Sequence, residues 1–428
     1  MLRSMFSSVS GLRGHQTMMD VIGNNIANVN TAGYKASATT FEDLLSQAIK
    51  GAGVATNTLG GTNPAQIGLG VRMAAVSTNF AQGATQLTNR TTDLSLQGDG
   101  FFVTAQDGER LYTRLGSFSF DTNGRLATAD GAIVQGWTAT NGAIDTNAPI
   151  ADLRLPLGQL IAPTESAEIR FGGNLPADVA DGTTLTTSIN VFDQQGNKIP
   201  LTFTWTKAAA DTWDITVSAP KSDPTYKNAD GKNSVEVLSV TDFTFDPANG
   251  GRPEAAFTDI SKNALNALGW NFTVGGDIGV NMGAAADPDA LHQFAGTSSI
   301  AALEQDGSST GFLRSFSVGA DGTITGVFSN GRTQRLGQVA LASFNNPPGL
   351  EKAGNSSFRE TVNSGMPQVG TAGSGGRGNI APGTLEMSNV DLAQEFTNLI
   401  VAQRGFQANS RVITASDELL QDLVNLKR

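Results

Sequence analysis

The chain has 428 residues, enough for two or three domains with sizeable cores. Its 28 basic and 39 acidic residues give a net charge of −11 without any basic cluster, which argues against a nucleic-acid partner. Cysteine is absent, excluding disulfides and thiolate metal sites, and no run is apolar and long enough to span a bilayer as a helix.

The N-terminus is not a secretory signal by pattern: Ser4, Ser7, Ser8 and Ser10 interrupt any apolar stretch after Arg3. An exported chain would therefore leave without a cleaved signal. Residues 1–30 predict an amphipathic helix. Leu2, Val9, Gln16 and Gly23 hold one heptad position, and Met5, Leu12, Met19 and Ile26 hold the other. Asn24, Asn25, Asn28 and Asn30 crowd its end, and Gly33 suits a turn. Phe41, Leu44, Leu45 and Ile49 predict a second short helix over 40–50. The Gly-, Thr- and Asn-rich stretch 51–70 reads as an extended connection.

From Val71 to Trp137 the pattern is β. Phe118 and Phe120 alternate with Ser119, Asn123-Gly124 predicts a type I′ turn, and Leu126 follows. Phe316, Val318, Asp321-Gly322 and Ile324 repeat that order. In both places the turn begins five residues after the first Phe and the aliphatic comes eight after it. The two stretches read as related hairpins, possible parts of one domain built from both flanks. The middle, 146–289, reads as a separate β domain: Leu201, Phe203 and Trp205 alternate with threonines, and Trp213, Ile215 and Val217 repeat the alternation. Residues 371–383 have the composition of a flexible linker. The last helix begins near Ser388-Asn389, which can cap it. Leu392, Leu399, Phe406, Ile413 and Leu420 recur every seven residues along it, with Phe396 and Val424 on a second track.

Candidate chemistry is sparse. Gly373, Gly375 and Gly378 match G-x-G-x-x-G, but no strand precedes them and no helix opens at the last glycine. Asp121 to Gly124 begins like a calcium loop, yet Arg125 occupies the fifth position. Asp287, Asp289 and His292 flank a polar turn around Pro288. The only other histidine, His15, lies on the first helix and suits an exposed or interface position. No acidic pair is singled out by spacing. The reading is no enzyme, with no catalytic, cofactor or metal residue. The two terminal seams could close one monomer as a helical hairpin. Gln16, Gln403, Ser410 and Asp417 at inner positions would leave such a hairpin marginal, which favours packing between copies.

Met5–Lys35 resembles the N-terminus of bacterial flagellar rod and hook proteins, with Asn24, Asn25, Asn28, Thr31, Gly33, Tyr34 and Lys35 carrying the match. GDGFFV (Gly98–Val103) is similar to that family's GxGFF strand, and Tyr112–Asp121 continues it. Leu385–Arg428 resembles the family's C-terminal motif through Ser388, Asn389, Val390, Asp391, Gln403, Arg404, Gln407 and Asn409. Phe192-Asp193, Gly196-Asn197, Asn330-Gly331 and Gly349-Leu350 place the chain nearer the hook proteins than the shorter rod proteins. The resemblance is weakest over 220–310.

The fold implied is mixed and mainly β: two nested antiparallel β domains, with N- and C-terminal α-helices pairing as a coiled coil. Its parts would be 1–30 with 385–428 as the coiled coil and 31–70 with 355–384 as linkers. An inner β domain would comprise 71–145 with 290–354, and 146–289 would be an inserted outer β domain. The resemblance implies a structural subunit that polymerises helically into the flagellar hook. It also implies as partners the chain itself, the distal rod, the hook cap, the hook–filament junction protein and the flagellar export apparatus, without membrane insertion. Two alternatives stay open. One is a distal-rod subunit. The other is a secreted β-rich adhesin or glycan-active enzyme, which would expose aromatics among Trp137, Trp205, Trp213 and Trp270.

Overall fold

The computed structural model describes residues 2–54, 60–140, 142–156, 158, 160–283 and 289–425. The side chains of Leu2 and Val424 lie outside the described residues, as do Asp287 and Pro288. The chain forms two units. One comprises 1–155, 316–326 and 334–428; the other comprises 156–315 and 327–333.

The first unit opens with α1 (Leu2–Ala27). The predicted helix over 40–50 is instead two strands, Ser37–Asp43 and Ser46–Lys50. They pair antiparallel with Val71–Thr78 and Ala65–Gly68, so the end of the expected extended connection is part of a ribbon. The apolar spacing of Phe41, Leu44, Leu45 and Ile49 misled because it also fits a bulged ribbon. The neighbouring Thr39 and Thr40 are β-branched and favour strand.

The sheet core follows. Phe101–Gln106 pairs with Glu109–Thr113, and Ile133–Thr138 lies between Phe101–Gln106 and Thr333–Val339. Residues near 100 and near 340 thus share one sheet. The close approach of Ile133–Thr138 to Thr333–Val339 requires Gly136, where a Cβ would lie 2.2 Å from the Gln338 carbonyl oxygen. Phe101, Val103, Tyr112, Trp137, Ala340, Ala342, Phe344 and Phe358 form the core here. The two related hairpins meet: the rings of Phe120 and Phe316 pack edge to face at 5.4 Å.

Their turns are not type I′, which needs positive φ at both central residues. Gly124 has φ 74° and Gly322 φ 80°, while Asn123 and Asp321 stay out of the left-handed region. Asp121 explains the first turn: its Oδ1 accepts from the backbone N–H of Asn123 and of Arg125, each at 2.8 Å.

The expected linker 371–383 is also ordered by pairing. Asn379–Pro382 forms a strand with Leu94–Gln97, and Arg377 folds back on Thr371 and Ser374. Its three motif glycines sit in that turn, not at a strand-to-helix junction.

The second unit is a five-stranded antiparallel sheet facing a smaller mixed sheet. The larger runs in order through Thr184–Phe192, Lys198–Ala209, Thr212–Ala219, Val235–Asp246 and Arg252–Pro253. In the smaller, Glu168–Pro176 pairs parallel with Asp277–Asn281 and Leu291–Phe294, and α2 (Lys262–Ala267) packs nearby. The alternation over 201–217 buries Leu201, Phe203, Trp205, Trp213, Ile215 and Val217 completely. Trp137 is buried in the first unit, and Trp270 is tied by its indole N–H to the Pro220 carbonyl at 2.7 Å. The tryptophans therefore do not line an open groove as a glycan site would need.

Candidate assembly site at the paired termini

The last helix, α3, spans Leu392–Asn425. Asp391 caps it, not Ser388 or Asn389: its Oδ1 accepts from Ala393 N–H at 2.9 Å and Gln394 N–H at 3.2 Å. Asn389 instead ties strands to the helix start. Its amide donates to the carbonyls of Asn79 and Ala81, and its Oδ1 accepts from Ala36 N–H. Ser388 Oγ accepts from Val390 N–H at 3.3 Å.

Helices α1 and α3 pack antiparallel. A Cβ at Gly11 would lie 2.8 Å from Asn409 Nδ2, and one at Gly405 would lie 2.5 Å from His15 Nε2. Farther along, Asn25 Nδ2 donates to Glu395 Oε1 at 3.1 Å. The buried positions of α1 are Ser8, Gly11, Gly14, Ile22 and Asn25; Gly14 lies against Phe41, and the other four come one residue before the expected positions at 9, 12, 23 and 26. Met5, Val9, Leu12, Met19 and Ile26 are half-buried flanks, while Gln16 and Gly23 are exposed.

On α3 the expected seven-residue track holds from Leu399 through Phe406, Ile413 and Leu420, all half-buried. Its companion track is Glu395, Ala402, Asn409 and Ser416, with Ala402 at 0% exposure. The expected companions Phe396, Gln403 and Asp417 are exposed and Ser410 is half-buried; Leu392 is 39% exposed. Small residues explain the rotation. Glycine, alanine and serine let the two backbones approach closely, and dispersion between packed atoms then replaces large-side-chain burial.

What this pairing leaves outside is apolar. Phe6 is 67% exposed, Phe396 and Ile400 51%, and Val401 and Leu419 56%. Gln403, Arg404 and Gln407 share the open surface. Large apolar side chains left exposed along a paired helix are candidates for an interaction face.

The motif after α1 builds the anchor. Tyr34 Oη donates to Asn24 Oδ1 at 2.8 Å and approaches Asn25 Oδ1 at 3.1 Å. Asn25 also bridges Ser37 through both its amide groups. Asn28 Nδ2 donates to the Asn24 carbonyl, and Thr31 Oγ1 donates to Asn28 Oδ1. Gly33, at φ 70°, passes so close to the sheet that a Cβ would lie 2.8 Å from Leu115 N.

Lys35 is completely buried. Its Nζ lies 2.6 Å from Glu386 Oε1 and donates to the Ala81 carbonyl at 2.8 Å. Glu386 Oε1 also accepts from Gly83 N–H, its backbone carbonyl accepts from Gly33 N–H, and Arg114 Nη1 lies 3.6 Å from its other oxygen. Burial pushes the Lys35 amine and the Arg114 guanidinium below their usual pKa, against the opposing pull of Glu386. Sequence reading found Lys35 but missed Glu386 and Arg114. The available signal was a lone acid in the uncharged run between Gly378 and Val390.

Burial also raises the Glu395 carboxyl pKa, opposed by its bond from Asn25 and aided by nearby Asp391. The folded state thus holds this proton more tightly than the unfolded chain. The helix contact is firmest while Glu395 stays protonated and weakens as pH rises through that raised pKa. Glu395→Gln should flatten this dependence. Opening free energies of the Leu399–Ala402 amides, from hydrogen exchange between pH 4 and 7, check it; an unchanged pH slope in the variant would refute the assignment.

Among the described residues no group of His, Cys, Asp and Glu could hold a metal ion. His292 Nδ1 lies 3.1 Å from the Gly250 carbonyl and its ring stacks on Phe294. His15 packs against Phe41 with ring centres 5.8 Å apart.

Four family descriptions match the chain in order. "Flagella basal body rod protein" covers 5–35, and "Flagellar hook protein FlgE/F/G D1 domain" covers 95–174. "Flagellar basal body protein FlaE D2 domain" covers 163–308, and "Flagellar basal body rod FlgEFG protein C-terminal" covers 381–426. The chain is 38% identical to flagellar hook protein FlgE of Borreliella burgdorferi, with all of both chains covered. It is 31% identical to flagellar basal-body rod protein FlgG of Bacillus subtilis, again over all of both. A crystal structure of Helicobacter pylori flagellar hook protein FlgE2 shares the fold at TM-score 0.51 and 13% identity, covering 71% of this chain and all of that one. The helix-paired termini, the two β units and these matches agree: the chain belongs to the flagellar hook protein FlgE family.

Proposed function

We propose that the protein is a non-enzymatic subunit of the flagellar hook, polymerising helically into a curved hollow tube that transmits torque from rod to filament. The observation that carries this is the apolar surface left on α1 and α3 after they pair, including Phe6, Phe396, Ile400, Val401 and Leu419. A subunit whose contacts repeat head to tail without closing builds a helical tube and covers such surface in every copy. The residues of the expected seams and of the two terminal motifs are assigned to this assembly. The division into terminal coiled coil, inner β domain and inserted outer domain goes with it, with strand-paired segments joining the first two. So do the distal rod, the hook cap, the junction protein and the export apparatus as partners, and export without a cleaved signal.

A distal-rod role is the second reading, favoured by the full-length match to a rod protein. The higher identity to a hook protein, 38% against 31% for the rod protein, favours the hook. Antibody–gold electron microscopy of flagella from the source cells separates them. Label is expected on the short curved segment at the cell. Label confined to the straight shaft below would assign the chain to the rod, and no label on any flagellar part would end both readings.

A further inference from the structure

The cleft between the end of α1 and the strand Glu351–Gly354 holds an amine with nothing to neutralise it. Two hollows of about 430 and 460 Å³ share Asn24, Tyr34 and Lys352. The Lys352 ammonium donates to Ser37 Oγ at 2.8 Å and lies 5.2 Å from the centre of the Tyr34 ring. None of the ion pairs among the described residues includes it. Asp20 lines the second hollow without pairing to it. Lys35, already paired to Glu386, also lines the first hollow, and the other lining residues there are neutral and able to hydrogen-bond, notably Asn28, Thr31 and Asn355. Loss of water lowers the amine's pKa, and no opposing carboxylate restores it.

We propose that this cleft receives a carboxylate side chain from a second copy of the chain, held by the Lys352 ammonium and the surrounding amides. A carboxylate accepts several hydrogen bonds at once and would offset the partly dehydrated charge. A second copy supplies it readily, because 39 acids face 28 bases in each chain. The cleft also adjoins α1, whose pairing with α3 leaves the apolar surface assigned to assembly, so the two contacts would be continuous. The inference rests on the assembly reading and adds a polar, register-setting contact to it. The strand beside the cleft favours access from outside. Among the described residues Glu351–Gly354 pairs only with Ser357–Arg359, at the end of its sheet, so its other edge is open.

The test uses full-length protein, polymerised from an equal mixture of normal and nitrogen-15-labelled chains. Carbodiimide links an amine to a carboxylate only where they touch. The expected result is a Lys352 cross-link between labelled and unlabelled chains, with acetylation of Lys352 about tenfold slower in polymer than in monomer. Lys352→Met, which keeps the stem over Tyr34, should lose the cross-link and polymerise more weakly, with less dependence on salt. Polymer in which Lys352 reacts as fast as in the monomer, or cross-links only within one chain, overturns the proposal and leaves the assembly reading intact. A chain that forms no polymer overturns both.

Discussion

Glu386→Ala should release both terminal segments from the first β unit while the 156–315 unit stays folded. The carboxylate pairs with two buried cations, Lys35 at 0% and Arg114 at 2% side-chain exposure. It also satisfies the Gly83 N–H. Removing one partner of a buried pair leaves an uncompensated charge and costs about 3–5 kcal/mol, a large share of a typical domain's stability. Glu386→Gln keeps the shape and an acceptor oxygen but not the charge, so its loss should be smaller. Lys35→Met should be milder than Glu386→Ala, because the carboxylate keeps Arg114 nearby. Urea unfolding followed by limited proteolysis around Gly33 and Ser388 reads the effect directly. Parent-like cleavage and midpoint in Glu386→Ala would show that the ion cluster does not anchor the termini.

That anchor joins positions 351 residues apart, and nothing local in the sequence announces it. What was legible is what periodicity encodes. The track from Leu399 to Leu420 is visible because large apolar residues repeat every seven positions. Its companion track is not, because Ala402, Asn409 and Ser416 carry no hydropathy signal; they matter by being small. The one-residue rotation of the contact face on α1 has the same cause, since Ser8 and Gly11 are invisible to an apolar count. The alternation of Leu201, Phe203 and Trp205 was read correctly as strand with one buried face. The stretch 40–50 was not, because its partners lie in the later strands Ala65–Gly68 and Val71–Thr78, from Ala65 opposite Lys50 to Ala75 opposite Thr40. Both hairpin turns were placed correctly, but the one at Asn123-Gly124 was typed wrongly, since a side-chain acceptor at Asp121 replaces the second left-handed residue.

Two substitutions on α3 should separate folding from assembly. Gly405→Leu should weaken the helix pair within one chain. The added Cβ meets the His15 ring at 2.5 Å, and that ring is backed by Phe41, which itself abuts Gly14. Overpacking of this kind costs about 1–3 kcal/mol, more than the roughly 1 kcal/mol that replacing glycine would add to helix propensity. The net sign is therefore destabilising, and helix melting should fall. Phe396→Asp should do the reverse. Its ring is 51% exposed in the single chain, so monomer stability should change by no more than about 0.5 kcal/mol. In a polymer the same ring would be covered, and each such side chain contributes roughly 1.5–3 kcal/mol per subunit. A charge there should abolish polymerisation. Phe406→Asp and Ile413→Asp, on the half-buried track, should fail on both measures while the β units stay folded. Circular dichroism melts and electron microscopy of polymerisation reactions give both readouts from one preparation. Normal polymers from Phe396→Asp would mean that the open flank of α3 stays wet in the assembly, and the contact between copies would have to be sought on another face.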